Sequence, residues 1–270
     1  LERATGAKSN FYDPKKKTLV YFHGWTGNGD GFLSACKRTT TRCTELLCPG
    51  KAGTLLAEPW LRDGWNVGFF YWDQFSDEAC LRDAEQKIWF DHAGNGIRWK
   101  SFDVLSGATT FHEYVADDVM SLADLCLQNL RMALGQYAGP DVRFVGHSIG
   151  AQLAMRCAAM LHREGHPSSP QRLALLEPYF SKHHLWLFRC VGTVEETQVS
   201  TEDTVEDFAA VATTDLAEHL VQTRGVLLEI YKSSLLTEVS EFGARNRALD
   251  GLGTLVEYEP SWCGGLRAFG

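Results

Sequence analysis

The residues most able to do chemistry are Gly146-His147-Ser148-Ile149-Gly150. An apolar run, Val142-Arg143-Phe144-Val145, precedes them, and helix-patterned sequence follows with Ala151, Leu153, Ala154, Cys157, Ala158 and Leu161. A serine on a sharp strand-to-helix turn can act as the nucleophile of an acyl transfer, with its hydroxyl held above a sheet. The flanking glycines are expected to supply backbone freedom and room for a neighbouring chain. The helix behind the serine would direct its amides and positive dipole end at the reacting oxygen. His147 lies inside the turn and reads as structural.

A second group, His23-Gly24-Trp25, closes the apolar run Thr18-Leu19-Val20-Tyr21-Phe22. A tetrahedral intermediate needs two preorganised donors for its oxyanion. The amides of Ile149 and Trp25 are the candidates. The third group is Glu177, which ends the run Arg172-Leu173-Ala174-Leu175-Leu176. There it could orient and charge-stabilise a histidine base; the competing reading is a solvated loop carboxylate.

Short apolar runs alternating with helical periodicity point to a mostly parallel sheet covered by helices. Further strands are expected at 65–72, 226–231 and 254–258, and a helix over 114–134 with Val115, Val119, Leu122, Ala123, Cys126 and Leu130 on one stripe. Residues 80–110 read as an irregular aromatic excursion over the surface. An insertion or possible lid at about 181–224 has a helix-like second half. At 270 residues, 44% of them hydrophobic, one domain over 1–270 is the expected organisation. The net charge of −8, with no basic run beyond Lys15-Lys16-Lys17, leaves nucleic-acid binding without an electrostatic footprint. No window of about 18 apolar residues suggests a membrane span, and no motif suggests a metal or other cofactor.

Eight cysteines are many for a reducing compartment. Cys36, Cys43, Cys48, Cys80, Cys190 and Cys263 fall in loop-like sequence and point to disulfides and secretion. Cys126 and Cys157 fall on helical apolar stripes and read as buried free thiols.

Over roughly residues 15–265 the chain resembles the pancreatic-type lipase family, which includes lipases and phospholipases A1. The resemblance rests on Val20-Tyr21-Phe22-His23-Gly24-Trp25, on the run from Trp65 to Asp73, and on the run from Asp141 to Ala151. It also rests on Leu175-Leu176-Glu177-Pro178, on Val226 to Ser233, and on Leu255 to Pro260 with Gly264-Gly265. It implies an α/β-hydrolase fold with helices on both faces of the sheet and an insertion after the acid-bearing strand. It implies a lipid or other ester substrate, met at a membrane or lipid-droplet surface, with Ser148 as nucleophile and Glu177 where the family has its aspartate. The family's histidine follows the last strand; past Tyr258 this chain has none. Either that segment is not in the chain or the base has been lost, which would leave a lipase-like binding protein. His183, His184 and His219 are weak substitutes. The aromatic residues Trp89, Trp99 and Leu185-Trp186-Leu187-Phe188 could form a lid or acyl-binding surface, or pack against the sheet.

Overall fold

The computed structural model describes residues 12–25, 57–78, 81–90, 97–102, 108–114, 121–180, 205–232 and 249–257. Its strands are β1 (Thr18–Phe22), β2 (Asn66–Phe70), β3 (Ile97–Phe102), β4 (Thr109–Tyr114), β5 (Val142–His147), β6 (Arg172–Leu176), β7 (Leu227–Lys232) and β8 (Thr254–Glu257). Its helices are α1 (Glu58–Arg62), α2 (Asp73–Ser76), α3 (Leu81–Trp89), α4 (Leu122–Leu134), α5 (Gly150–Glu164) and α6 (Val205–Arg224).

Six strands form one sheet in the order β2-β1-β5-β6-β7-β8, every neighbouring pair parallel. Because each connection crosses over, all six strands point the same way and their carboxyl ends share one edge. β1 is buried along its whole length, as a strand covered on both faces must be. Val20 and Phe22 face one way, into a core shared with α3, α4, α5 and α6. Leu19 and Tyr21 face the other way, with Trp65 and with Trp60 of α1. This is the expected α/β-hydrolase fold, with a mostly parallel sheet and helices on both faces.

The structure corrects two expectations in the middle of the chain. Residues 81–89 are a helix that buries Ala84, Ile88 and Trp89, in place of the expected surface excursion. Its hydrophobic stripe is hidden in the sequence because Glu85 and Lys87 are buried too, through polar partners. The helix expected from 114 starts at Leu122, after the Ser121 hydroxyl accepts the Asp124 amide as its N-cap. Tyr114 instead ends β4, which pairs antiparallel with β3; Thr109, Thr110 and Phe111 suit a strand better than a helix.

Cys126 and Cys157 are buried free thiols, as expected. The other six cysteines, His183, His184, and residues 185–188 lie outside the described residues. Among the described residues, no helix is long and apolar enough to cross a membrane.

Candidate functional site

The parallel register sets Phe22 beside Gly146 and His147 beside Leu176, so β1, β5 and β6 end together. Ser148 leaves β5 with φ 54° and Glu177 leaves β6 with φ 46°. Among the described residues they are the only non-glycine residues at positive φ. Backbone strain of this kind costs about 1–3 kcal/mol per residue and persists where its surroundings over-determine it.

Three backbone hydrogen bonds provide that constraint. The Ser148 amide donates to the Leu176 carbonyl at 3.0 Å, and the Glu177 amide donates to the Tyr231 carbonyl at 2.8 Å. The Tyr179 amide returns to the Ser148 carbonyl at 3.4 Å. The two turns are therefore cross-bonded, and neither can relax without moving the other.

The glycines around Ser148 supply space rather than unusual dihedrals, since none of Gly24, Gly146 or Gly150 has positive φ. A Cβ on Gly150 would lie 2.3 Å from the His23 carbonyl oxygen and 2.5 Å from that of Phe22. One on Gly146 would lie 2.6 Å from the Cα of Ala151. At Gly24 it would lie 2.8 Å from the Ser148 Cβ and 3.4 Å from its Oγ. The turn after β1 thus passes directly against the serine. The expected freedom at the flanking glycines is corrected: the strained residue is the serine itself.

That β1 turn is held by two anchors. The first is His23, buried and stacked on Phe69 and Trp72. Its Nε2 accepts the Trp72 amide at 3.2 Å, so the ring proton sits on Nδ1, which donates to the Gly24 carbonyl at 2.8 Å. In a trans peptide the Trp25 N–H points opposite to that carbonyl, away from the His23 ring. The second anchor is Trp25, whose indole Nε1 donates to the Glu78 carbonyl at 2.9 Å.

Glu78 is buried with its carboxylate between Lys87 and Arg98, the latter at 2.7 Å. Burial works to raise the pKa of this carboxyl, but the two cations outweigh it and hold it below the usual carboxylate range. For Lys87 burial prevails over Glu78, and its ammonium is held below the usual lysine range. The cluster therefore serves more to fix geometry than to add large stability. Nothing in the local sequence of Glu78 or Lys87 signals this role.

Ile149 is fully buried and forms the cap position of α5. Among the described residues, no acceptor takes its amide. Helix α5 supplies one further polar side chain to the site: Gln152, one turn beyond Ser148 and fully buried. It accepts from Trp89 Nε1 at 2.9 Å and donates to Glu85 Oε1 at 2.6 Å and to the Tyr179 carbonyl at 2.8 Å. Trp89 is thus part of the packed core, and Trp99 packs partly buried on its edge, stacked on His112.

The histidines divide clearly. His147 points to the same sheet face as Val145, by strand alternation. His112 bonds Ser101 on the β3–β4 hairpin. His219 is exposed and influences His162, which lies twelve residues into α5 from Gly150, about 18 Å from the Ser148 end. His219 is therefore at the wrong end of the sheet to act as a base for Ser148. Among the described residues, no group of three or more His, Cys, Asp or Glu side chains could hold a metal ion.

Residues 84–176 match the family model described as Lipase (class 3), a stretch from α3 to the end of β6 that includes Ser148. No curated protein matches the chain. Among solved structures, it is similar to an uncharacterized protein from Bacillus cereus ATCC 10987 at 11% identity and a TM-score of 0.42, covering 94% of this chain and 56% of that one. The chain thus spans little more than half the length of that protein. Est1E from Butyrivibrio proteoclasticus, with ferulic acid bound, is 13% identical at a TM-score of 0.44, covering 93% of this chain and 81% of that one. The peroxisomal alpha-beta-hydrolase Lpx1 from Saccharomyces cerevisiae is 11% identical at a TM-score of 0.39, covering 90% of this chain and 69% of that one.

Proposed function

We propose that this chain is a carboxylic ester hydrolase of the lipase and esterase type, acting through an acyl-enzyme on Ser148. The observation that carries this reading is the strained Ser148 turn, φ 54°, packed against Gly24 and bonded to the end of β6. A turn of this kind aims a side-chain oxygen above the sheet edge, and the lipase family match over residues 84–176 supports it.

In this mechanism Ser148 Oγ attacks the ester carbonyl carbon while a histidine takes its proton, and that proton leaves with the alcohol. The Ile149 and Trp25 amides receive the oxyanion. Glu177 holds the histidine and stabilises its charged form. Water then attacks the acyl carbon, releases the acid and returns Ser148. The pancreatic-type assignment, with acylglycerol or phospholipid substrates at a membrane or lipid-droplet surface, belongs to the same proposal and rests on the sequence motifs. So does secretion, on the six loop cysteines.

A fluorophosphonate probe tests the centre. Stoichiometric labelling of the full chain, lost in Ser148→Ala and slowed in Glu177→Gln, is the expected result. A folded chain that takes no label would overturn the reading in favour of a lipase-like binding protein.

A further inference from the structure

We propose that Gln152 is a positioning residue that holds the Glu177 strand end in register with the nucleophile turn; this rests on the hydrolase reading above. Glu177 is bracketed by two attachments to the Ser148 segment. Before it, the Leu176 carbonyl takes the Ser148 amide. After it, both backbone polar groups of Tyr179 are taken: its amide donates to the Ser148 carbonyl and its carbonyl accepts from Gln152 Nε2 at 2.8 Å. Removing Gln152 releases the stronger half of the second attachment, since the Tyr179 amide contact is long at 3.4 Å.

The amide of Gln152 has one workable orientation. Its oxygen faces the Trp89 indole, which can only donate, and its nitrogen faces a carbonyl and a carboxylate, which accept. Turning it over would set oxygen against oxygen at two contacts inside a buried site. Gln152 is therefore rigid, and it transmits that rigidity from α3 to the strained Glu177 backbone. A glutamate here would set a carboxylate oxygen, which can only accept, against the Glu85 carboxyl oxygen and the Tyr179 carbonyl, so the amide N–H donors are needed. An ordinary buried glutamine that merely satisfies its own bonds would add stability without any coupling to Glu177, and the two roles make different predictions.

The experiment is a double-mutant cycle on the full chain with a p-nitrophenyl butyrate assay, fluorophosphonate labelling and thermal melting in parallel. Gln152→Met keeps the side-chain length and removes the three hydrogen bonds; Trp89→Phe is the second variant, removing the indole donor together with part of a buried ring, and the parallel melts read that packing loss. A misplaced catalytic group costs up to about a hundredfold. We expect Gln152→Met to lower kcat about tenfold or more with KM little changed, and Trp89→Phe to lower it less. On the Glu177→Gln background both losses should shrink to within about twofold, because the group being positioned is already gone. If Gln152→Met fails to fold, the Trp89→Phe cycle decides alone. An active parent whose losses are absent, or persist in full on the Glu177→Gln background, overturns the Gln152 role and leaves the hydrolase reading standing. A folded parent that neither labels nor turns over overturns both.

Discussion

The amide of Ser148 donates to the carbonyl oxygen of Leu176 at 3.0 Å, joining the nucleophile turn to the strand end that presents Glu177. The bond exists because β5 and β6 are parallel neighbours with His147 opposite Leu176, so both chains break from the sheet at one level. Each then places a non-glycine residue at positive φ. Strain at two adjacent strand ends, each stabilised by the other, is the physical signature on which the functional reading rests.

The strain at Ser148 can be measured. An L-residue in the left-handed region costs about 1–2 kcal/mol, while glycine loses roughly 0.5–1 kcal/mol more chain entropy on folding than alanine. Ser148→Gly should therefore be about 0–1.5 kcal/mol more stable than Ser148→Ala in urea denaturation, with both variants unable to take a fluorophosphonate label. A glycine variant clearly less stable than the alanine variant would mean that the turn is unstrained.

Gly24→Ala and Gly150→Ala should fail in different ways. At Gly24 the new methyl meets the Ser148 side chain at 2.8 Å, so labelling should fall steeply for a modest loss of stability. At Gly150 it meets two backbone carbonyls at 2.3 and 2.5 Å, which cannot yield locally. Overpacking of that kind costs about 1–3 kcal/mol or more, so this variant should melt well below the parent. Equal melting temperatures for the two would contradict the packing described.

Glu78 should contribute to acid sensitivity. Its carboxyl is held below the usual range in the folded chain, while the unfolded one takes its proton near pH ~4.3. Its contribution is therefore complete above that value and lost as pH falls through the lower folded value. Glu78→Gln leaves Lys87 buried without its carboxylate and should cost about 3–5 kcal/mol at neutral pH. The variant's stability should also depend less on pH between about 4 and the acid limit, as read by denaturation at a series of pH values.

His162 should make stability fall in the mildly acid range. Burial lowers its pKa; the hydrogen bond to the Pro170 carbonyl opposes this, and Arg224 and His219 lower it further. The unfolded imidazole binds its proton near pH ~6.5, before the folded one does. The stability linked to this group is thus full above about pH 6.5 and declines as pH falls toward the folded value. His162→Gln can still donate to Pro170 and should flatten that decline. An unchanged pH profile would refute the assignment.

Much of the site is legible in the residue order alone. Thr18–Phe22 and Arg172–Leu176 are strands with the expected bounds; the first is buried along its whole length, and the second buries Leu173 and Leu175 on one face with the other half-buried. The Gly146–Gly150 turn follows from the strand before it and the helix after it. Helix α3 escapes such a reading because Glu85 and Lys87 lie on its buried face. Their partners make that burial tolerable: Gln152, far away in sequence, for Glu85, and Glu78, on the preceding segment, for Lys87. The same reason hides Gln152: a polar residue on a helix reads as surface until the groups that satisfy it are known.

Local patterning by itself thus determined the six strands of the parallel sheet, the candidate serine, the glycines beside it and the carboxylate at the end of β6, since each depends on neighbours within a few residues; the β3–β4 hairpin escaped it. Only the tertiary structure decided that the Ser148 and Glu177 turns are cross-bonded, that His23 and Glu78 anchor the β1 turn, and that His219 lies at the far end of the sheet. Those relations join residues tens of positions apart, and hydrogen-bond satisfaction across such distances is settled by how the chain packs.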